Sequence, residues 1–230
     1  MATPETRVAP ARPLREDEVD PRDPNLLVRY STAERLTHWG VAIAYILVFL
    51  SGLALFHPFF WWISGLFGGG TLMRIIHPFI GVALAVLFSL YAAKLIAVNR
   101  MTAVDWEWVR NAFAYMNKHH ATEQETGKYN AGQKLMFWSM IVVIAALLLT
   151  GIVIWQPYFA PAFGRTARKA AAVIHAVSAF VMFVGIGVHV YAAYWTKGSM
   201  KAMTRGTVTR AWAKFHHPGW YRQVTGKEAR

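Results

Sequence analysis

Four apolar stretches of about 20 residues each dominate this chain, and that length is what a helix needs to cross the hydrocarbon core of a bilayer. They run from about 37 to 56, 75 to 98, 135 to 155 and 170 to 195. In lipid every backbone N–H and C=O must be paired within the segment, so this pattern predicts an all-α, integral membrane four-helix bundle. Composition agrees: 16% of the residues are charged, against about a quarter in an ordinary soluble domain. Residues 30–200 form the transmembrane domain. Residues 1–29, rich in Pro, Arg, Asp and Glu, read as a disordered tail, and 201–230 as a C-terminal tail. The first segment has no apolar core and so does not read as a signal peptide.

Charge distribution predicts the orientation. Of 24 Lys and Arg residues, 20 lie in the N-terminal segment through Arg35, the stretch Lys94 to Lys134 and the C-terminal segment from Lys197. Only Arg74, Arg165, Arg168 and Lys169 lie in the other two connections. The positive-inside rule then puts both termini and the central loop in the cytoplasm of a bacterial inner membrane. The net charge of +12 is thereby accounted for by an anionic membrane face, not by nucleic acid. The opposite side carries aromatic belts, His57 to Trp62 and Trp155 to Phe159, suited to a lipid interface. In the central loop, Asp105 to Met116 has helical spacing and reads equally as a surface helix or a packed connector.

The chain has no cysteine, so it holds no disulfide, no thioether-attached haem and no cysteine-ligated iron–sulfur cluster. Its chemistry rests on histidine. His38, His77, His175 and His189 lie in or at the edge of the spans, where ionisable groups are costly and point to function. An interhelical hydrogen bond explains one such residue well enough, and four together far less well. His175 and His189 are 14 residues apart, about 21 Å along a helix and within about 40° of one face. Depth then allows His77 to meet only His175 near the outer face, and His38 to meet only His189 near the inner face. Each pair supplies the two neutral imidazoles of a six-coordinate b-type haem.

Gly81 and Gly185 lie four residues from His77 and His189, on the same helix faces, where a missing side chain would admit a flat macrocycle. Arg35, Arg165, Arg168 and Lys169 are expected propionate partners or interfacial anchors. His57, His119, His120, His216 and His217 lie in loops or tails and read as solvated.

The four membrane histidines, with R-I-I-H-P-F at 74–79, G-K-Y-N-A-G-Q-K at 127–134, W-Q-P-Y-F at 155–159, W-T-K-G-S-M-K at 195–201 and H-H-P-G-W-Y-R at 216–222, resemble the cytochrome b (gamma) subunits of membrane-bound respiratory formate dehydrogenases. The likeness runs from about Leu27 to Arg222, and the segment at 127–134 is its most specific part. It implies a complex with an iron–sulfur beta subunit and a molybdenum- or tungsten-containing alpha subunit that oxidises formate. This chain would hold two haems b, accept electrons at the outer one and reduce a quinone, menaquinone or ubiquinone, beside the inner one. On matching positions the quinone site would use Asn130 and Gly132, with His189 close by; Gln133 is added by its neighbourhood. From the residues alone, 127–134 is a polar turn at the entrance of the third span, which reads first as a helix cap and second as a site.

Three other readings stand beside this one. The cytochrome b subunit of a nickel–iron hydrogenase shares the four-helix, bis-histidine plan, though the motif at 127–134 argues against it. A cofactor-free membrane anchor leaves the four histidines without a use. A transporter is disfavoured by the lack of an inverted repeat or a broken span.

Overall fold

The computed structural model describes residues 20, 23–111 and 126–226. These form two compact units. One comprises 33–97 and 135–195, the other the terminal segments and the central loop.

The first unit contains the spans. Helix α1 is Thr32–Phe56, α2 is Gly70–Leu95, α4 is Ala131–Ile154 and α5 is Arg165–Trp195, and all four are long and apolar enough to cross a membrane. Each starts four or five residues before the apolar run read from the sequence. Hydropathy marks only the part of a helix in hydrocarbon, whereas the backbone stays helical through the interface. Helix α1 stops at the His57-Pro58 step, where a proline disfavours helix in the residue before it. A 3₁₀ helix, Pro58–Phe67, follows, capped by His57 Nδ1 accepting the Phe59 N–H at 3.2 Å. It ends at Gly68, whose φ of 76° a side chain would resist.

Two apolar clusters hold this unit together. Ala54, Ile63, Phe67 and Met73 pack where the 3₁₀ helix meets α1 and α2. Ala85, Met140, Val143, Ile144 and Met182 join α2, α4 and α5. Only 11–17% of the most apolar window of each span is buried, as suits helices that face lipid.

The second unit is where the structure departs from the sequence reading. Strand β1, Leu26–Val28, pairs antiparallel with β2, Thr207–Thr209, so the fold is not purely α-helical. The supposed tail to residue 29 therefore ends sooner; its earlier part, apart from Asp20, lies mostly outside the described residues. The supposed tail from 201 is also folded. It comprises most of α6 (Ser199–Arg205), β2, α7 (Arg210–His216) and α8 (Pro218–Thr225). Leu27, Tyr30, Ala202, Val208, Ala213, Trp220, Tyr221 and Val224 make its core. Each of these segments is too short and too charged to show periodicity alone; they bury apolar area only by meeting residues nearly 200 positions away. Within the central loop, α3 is Ala103–Arg110, and the rest of the expected 105–116 helix lies largely outside the described residues.

Leu27 is fully buried at the centre of this core. Leu27→Ala is expected to destabilise the unit by about 2–5 kcal/mol. Hydrogen exchange would show faster amide exchange in 207–225, with the spans unaffected; unchanged protection would contradict this packing.

Candidate functional site

The four span histidines meet in two pairs. The rings of His38 and His189 have centres 6.2 Å apart, and those of His77 and His175 are 6.4 Å apart. These are the pairings that depth alone predicts. Metal–imidazole bonds run to about 2 Å, so two rings facing one metal have centres about 6 Å apart, as here. Among the described residues no group of three or more His, Cys, Asp or Glu could hold a bare metal ion. Zinc asks for three or four protein ligands. A porphyrin brings four nitrogens of its own and asks the protein for two. The donor set fits a haem.

The outer pair is braced by hydroxyls. Ser51 Oγ donates to the backbone carbonyls of Leu47 and Val48 at 2.9 and 3.0 Å, so its oxygen accepts the Nδ1–H of His77 at 2.8 Å. Thr150 Oγ1 donates to the Ala146 carbonyl at 2.6 Å and accepts the Nδ1–H of His175 at 3.0 Å. In a neutral ring that bond places the proton on Nδ1, which leaves Nε2 as the unprotonated nitrogen available to a metal. The residue after each hydroxyl is glycine. A Cβ on Gly52 would come within 3.2 Å of His77 Cε1, and one on Gly151 within 3.4 Å of His175 Cε1. The Ser51-Gly52 and Thr150-Gly151 steps thus orient and make room for the two rings in the same way. At the inner pair, His38 Nδ1 is buried with no partner among the described residues.

These two Ser/Thr-Gly steps escaped the sequence reading, although a hydroxyl beside a glycine inside an apolar span was the available signal. The glycines it singled out behave otherwise. A Cβ on Gly185 would meet Met140 at 3.2 Å, and one on Gly81 would meet Val48 at 3.8 Å. Arg165, Arg168 and Lys169 line a cleft of about 290 Å³ with Ile154, Gln156 and Ala172, and Arg168 Nε is buried there without a hydrogen-bond partner among the described residues. An anion suits that cleft.

In the second unit, the segment at 127–134 is held at both ends. Asn130 and Gln133 form a reciprocal cap at the start of α4. The Gln133 N–H donates to Asn130 Oδ1 at 2.8 Å, and the Asn130 N–H to Gln133 Oε1 at 3.0 Å. The expected helix cap is therefore present, and it does not exclude a site. Because both side-chain oxygens accept backbone protons, both side-chain NH₂ groups remain as donors on an exposed turn. Gly132 lies beside Trp108 of α3, 3.8 Å from where its Cβ would be. Asp105 and Lys134 form a buried ion pair at 2.6 Å that ties α3 to α4. Burial would raise the Asp105 pKa, but hydrogen bonds from Lys134 and Thr102 outweigh it and hold the carboxyl below its usual range.

Three successive carbonyls of the preceding loop are gripped from elsewhere. Trp220 N–H donates to Thr126 O at 3.2 Å, His217 Nδ1–H to Gly127 O at 2.8 Å, and Arg29 Nη2 to Lys128 O at 2.6 Å. Arg29 also donates to His217 Nε2 at 3.0 Å and lies 5.0–5.4 Å from the ring centres of Tyr30, Trp212 and Trp220. Each such cation–π contact contributes about 0.5–2 kcal/mol, which offsets much of the cost of burying the guanidinium. His217 is thus no solvated tail residue but 3% exposed. His57 is the cap described above, His216 is half-buried against Trp212, and His119 and His120 lie outside the described residues.

Burial, the Arg29 cation and His216 push His217 down to about 3, against the lesser pull of its Gly127 bond. An unfolded histidine titrates near 6.5, so from about pH 6.5 down to 3 the unfolded chain binds the extra proton and acidification removes stability. His217→Gln keeps one donor and one acceptor in reach of Gly127 and Arg29 but cannot titrate. Protease resistance of residues 200–226 should therefore fall less between pH 7 and 4 in His217→Gln than in the unsubstituted protein. Equal losses would rule out His217 as the sensitive group.

A family model described as prokaryotic cytochrome b561 matches residues 29–206. The cytochrome b556(fdo) subunit of formate dehydrogenase from Escherichia coli K12 is 42% identical over 200 residues, covering 86% of this chain and 93% of the relative. The cytochrome b556(Fdn) subunit of the nitrate-inducible formate dehydrogenase of the same strain is 39% identical over 205 residues, covering 89% and 94%. The formate dehydrogenase cytochrome b556 subunit of Haemophilus influenzae is 36% identical over 197 residues, covering 86% and 83%.

Proposed function

From the premise that the chain belongs to the prokaryotic cytochrome b561 family, we propose that it is the di-haem cytochrome b subunit of a formate dehydrogenase complex, passing electrons across the inner membrane from an iron–sulfur subunit to a quinone. The observation that carries this reading is the pair of histidine pairs, with ring centres 6.2 and 6.4 Å apart, on a bundle whose relatives are named cytochrome b556 subunits. His77 and His175 hold the outer haem, and His38 and His189 the inner one. Bound haem supplies a reversible one-electron carrier. The chain supplies neutral Nε2 ligands and, through Arg165, Arg168 and Lys169, cations for carboxylates at the outer end.

The molybdenum- or tungsten-containing alpha subunit oxidises formate, the beta subunit relays its electrons, and this chain anchors both. Both termini face the cytoplasm, a reading supported by the distribution of Lys and Arg. Inward transfer of each electron then works against about 2.3 kcal/mol per 100 mV of membrane potential, so the complex conserves energy without a pumping element.

Quinone is bound by Asn130, Gly132 and Gln133. An oxidised quinone offers only carbonyl acceptors, and the cap leaves the two side-chain amides with donors outward. The missing side chain at Gly132 leaves room beside Trp108. This agreement of donors with acceptors favours a quinone over a passive anchor with no small-molecule site.

Two measurements test the proposal. Haem quantified from reduced-minus-oxidised spectra should give two b-type haems per chain, falling to about one in His189→Ala; a folded protein without haem would make the cofactor-free anchor the better account. Asn130→Leu should raise the quinone KM about tenfold, as loss of one good hydrogen bond implies, with both haems retained. An unchanged KM would remove Asn130 from the site.

A further inference from the structure

Resting on that haem reading, we infer that Ser51 and Thr150 are positioning residues that lower the reduction potential of the outer haem relative to the inner one, and so set the direction of electron flow. Both ligands of the outer pair donate Nδ1–H to a hydroxyl, at 2.8 and 3.0 Å. A hydrogen bond at that nitrogen pushes electron density onto the ring and makes Nε2 a stronger ligand. A stronger donor favours the ferric over the ferrous state, which lowers the potential.

Several features make these contacts built rather than incidental. Ser51 is wholly buried inside a membrane helix. Each hydroxyl has a backbone carbonyl of its own helix in reach to take its proton, which leaves the oxygen able to accept from the histidine. In each case the adjoining glycine gives the ring room beside that helix. The arrangement recurs on two different helices, α1 toward His77 and α4 toward His175. At the inner pair, among the described residues, none accepts from the buried His38 Nδ1 and no hydroxyl is bonded to His189. The two sites therefore differ in the hydrogen bonding behind an otherwise identical ligand set, one of the ways a protein tunes a haem. A hydroxyl accepts more weakly than a carboxylate, so the bias is modest and the outer haem stays reducible by its donor. No proton has to move, because each Nδ1–H remains on nitrogen.

The test is a potentiometric titration of the purified complex, followed in the visible haem bands. His189→Ala isolates the outer haem and His77→Ala the inner one. The outer midpoint should shift positive in Ser51→Ala and in Thr150→Val, which keeps the shape of threonine without its hydroxyl, and further in the double variant. Ser51→Thr and Thr150→Ser should restore it. The inner midpoint should stay where it is. The near-infrared charge-transfer band of the ferric outer haem should move in the same variants, since it follows the basicity of the axial imidazoles. An outer midpoint that stays put with haem retained, or two midpoints that move together, would overturn the inference and leave the haem reading intact. If Ser51→Ala fails to keep its haem, Thr150→Val decides. A complete absence of haem from the unsubstituted complex would instead defeat the reading beneath it.

Discussion

A neutral imidazole with its Nδ1 proton given away and its Nε2 lone pair free is what the membrane unit is organised around. Within hydrocarbon an imidazolium is excluded by its desolvation cost, and a neutral ring still has one donor and one acceptor to satisfy. At His77 the donor is satisfied by Ser51, and at His175 by Thr150 together with the Leu147 carbonyl. A second ring has its centre 6.4 Å away. A metal held between the two rings would satisfy both remaining lone pairs at once. Two imidazoles at that spacing suit a porphyrin, which brings four nitrogens of its own and takes two from the protein.

The unit formed by the termini and the central loop solves a different problem. A turn whose side-chain amides stay free as donors is exposed and has little packing of its own. Here it is secured through its backbone, leaving the side chains of Asn130 and Gln133 available. Three consecutive carbonyls, from Thr126 to Lys128, are each held by a separate donor from Trp220, His217 or Arg29. The Arg29 charge is spread over two hydrogen bonds and three aromatic faces. The two motifs at 127–134 and 216–222 that mark the family resemblance thus turn out to be two halves of one contact. That gives the resemblance a physical content, because both segments are needed to hold a single loop.

Much of the membrane unit was legible in the sequence because lipid removes alternatives. An apolar run of about 20 residues has one viable backbone conformation, and helical rise converts residue number into depth. Depth alone then pairs His38 with His189 and His77 with His175. The segment at 127–134 was legible from its residues only as a polar turn, and the quinone role proposed for it came from resemblance. What escaped was side-chain detail at a fixed depth: Ser51 and Thr150 read as ordinary small polar residues until the neighbouring helix is in place. Gly81 and Gly185 drew attention by spacing, yet Met140 and Val48 pack toward them.

By itself, then, the sequence determined the four spans, their histidine pairing and the side on which positive charge collects. Each follows from a constraint along one segment or from the bilayer. Tertiary structure alone decided that β1 joins β2, that Leu27 is a core residue, that His217 is buried against Arg29, and that the 127–134 turn is held by the two ends of the chain. Those contacts join residues about 90 to 190 positions apart. No local periodicity records them, because their stabilisation exists only once short, charged and individually unstable segments have been brought together.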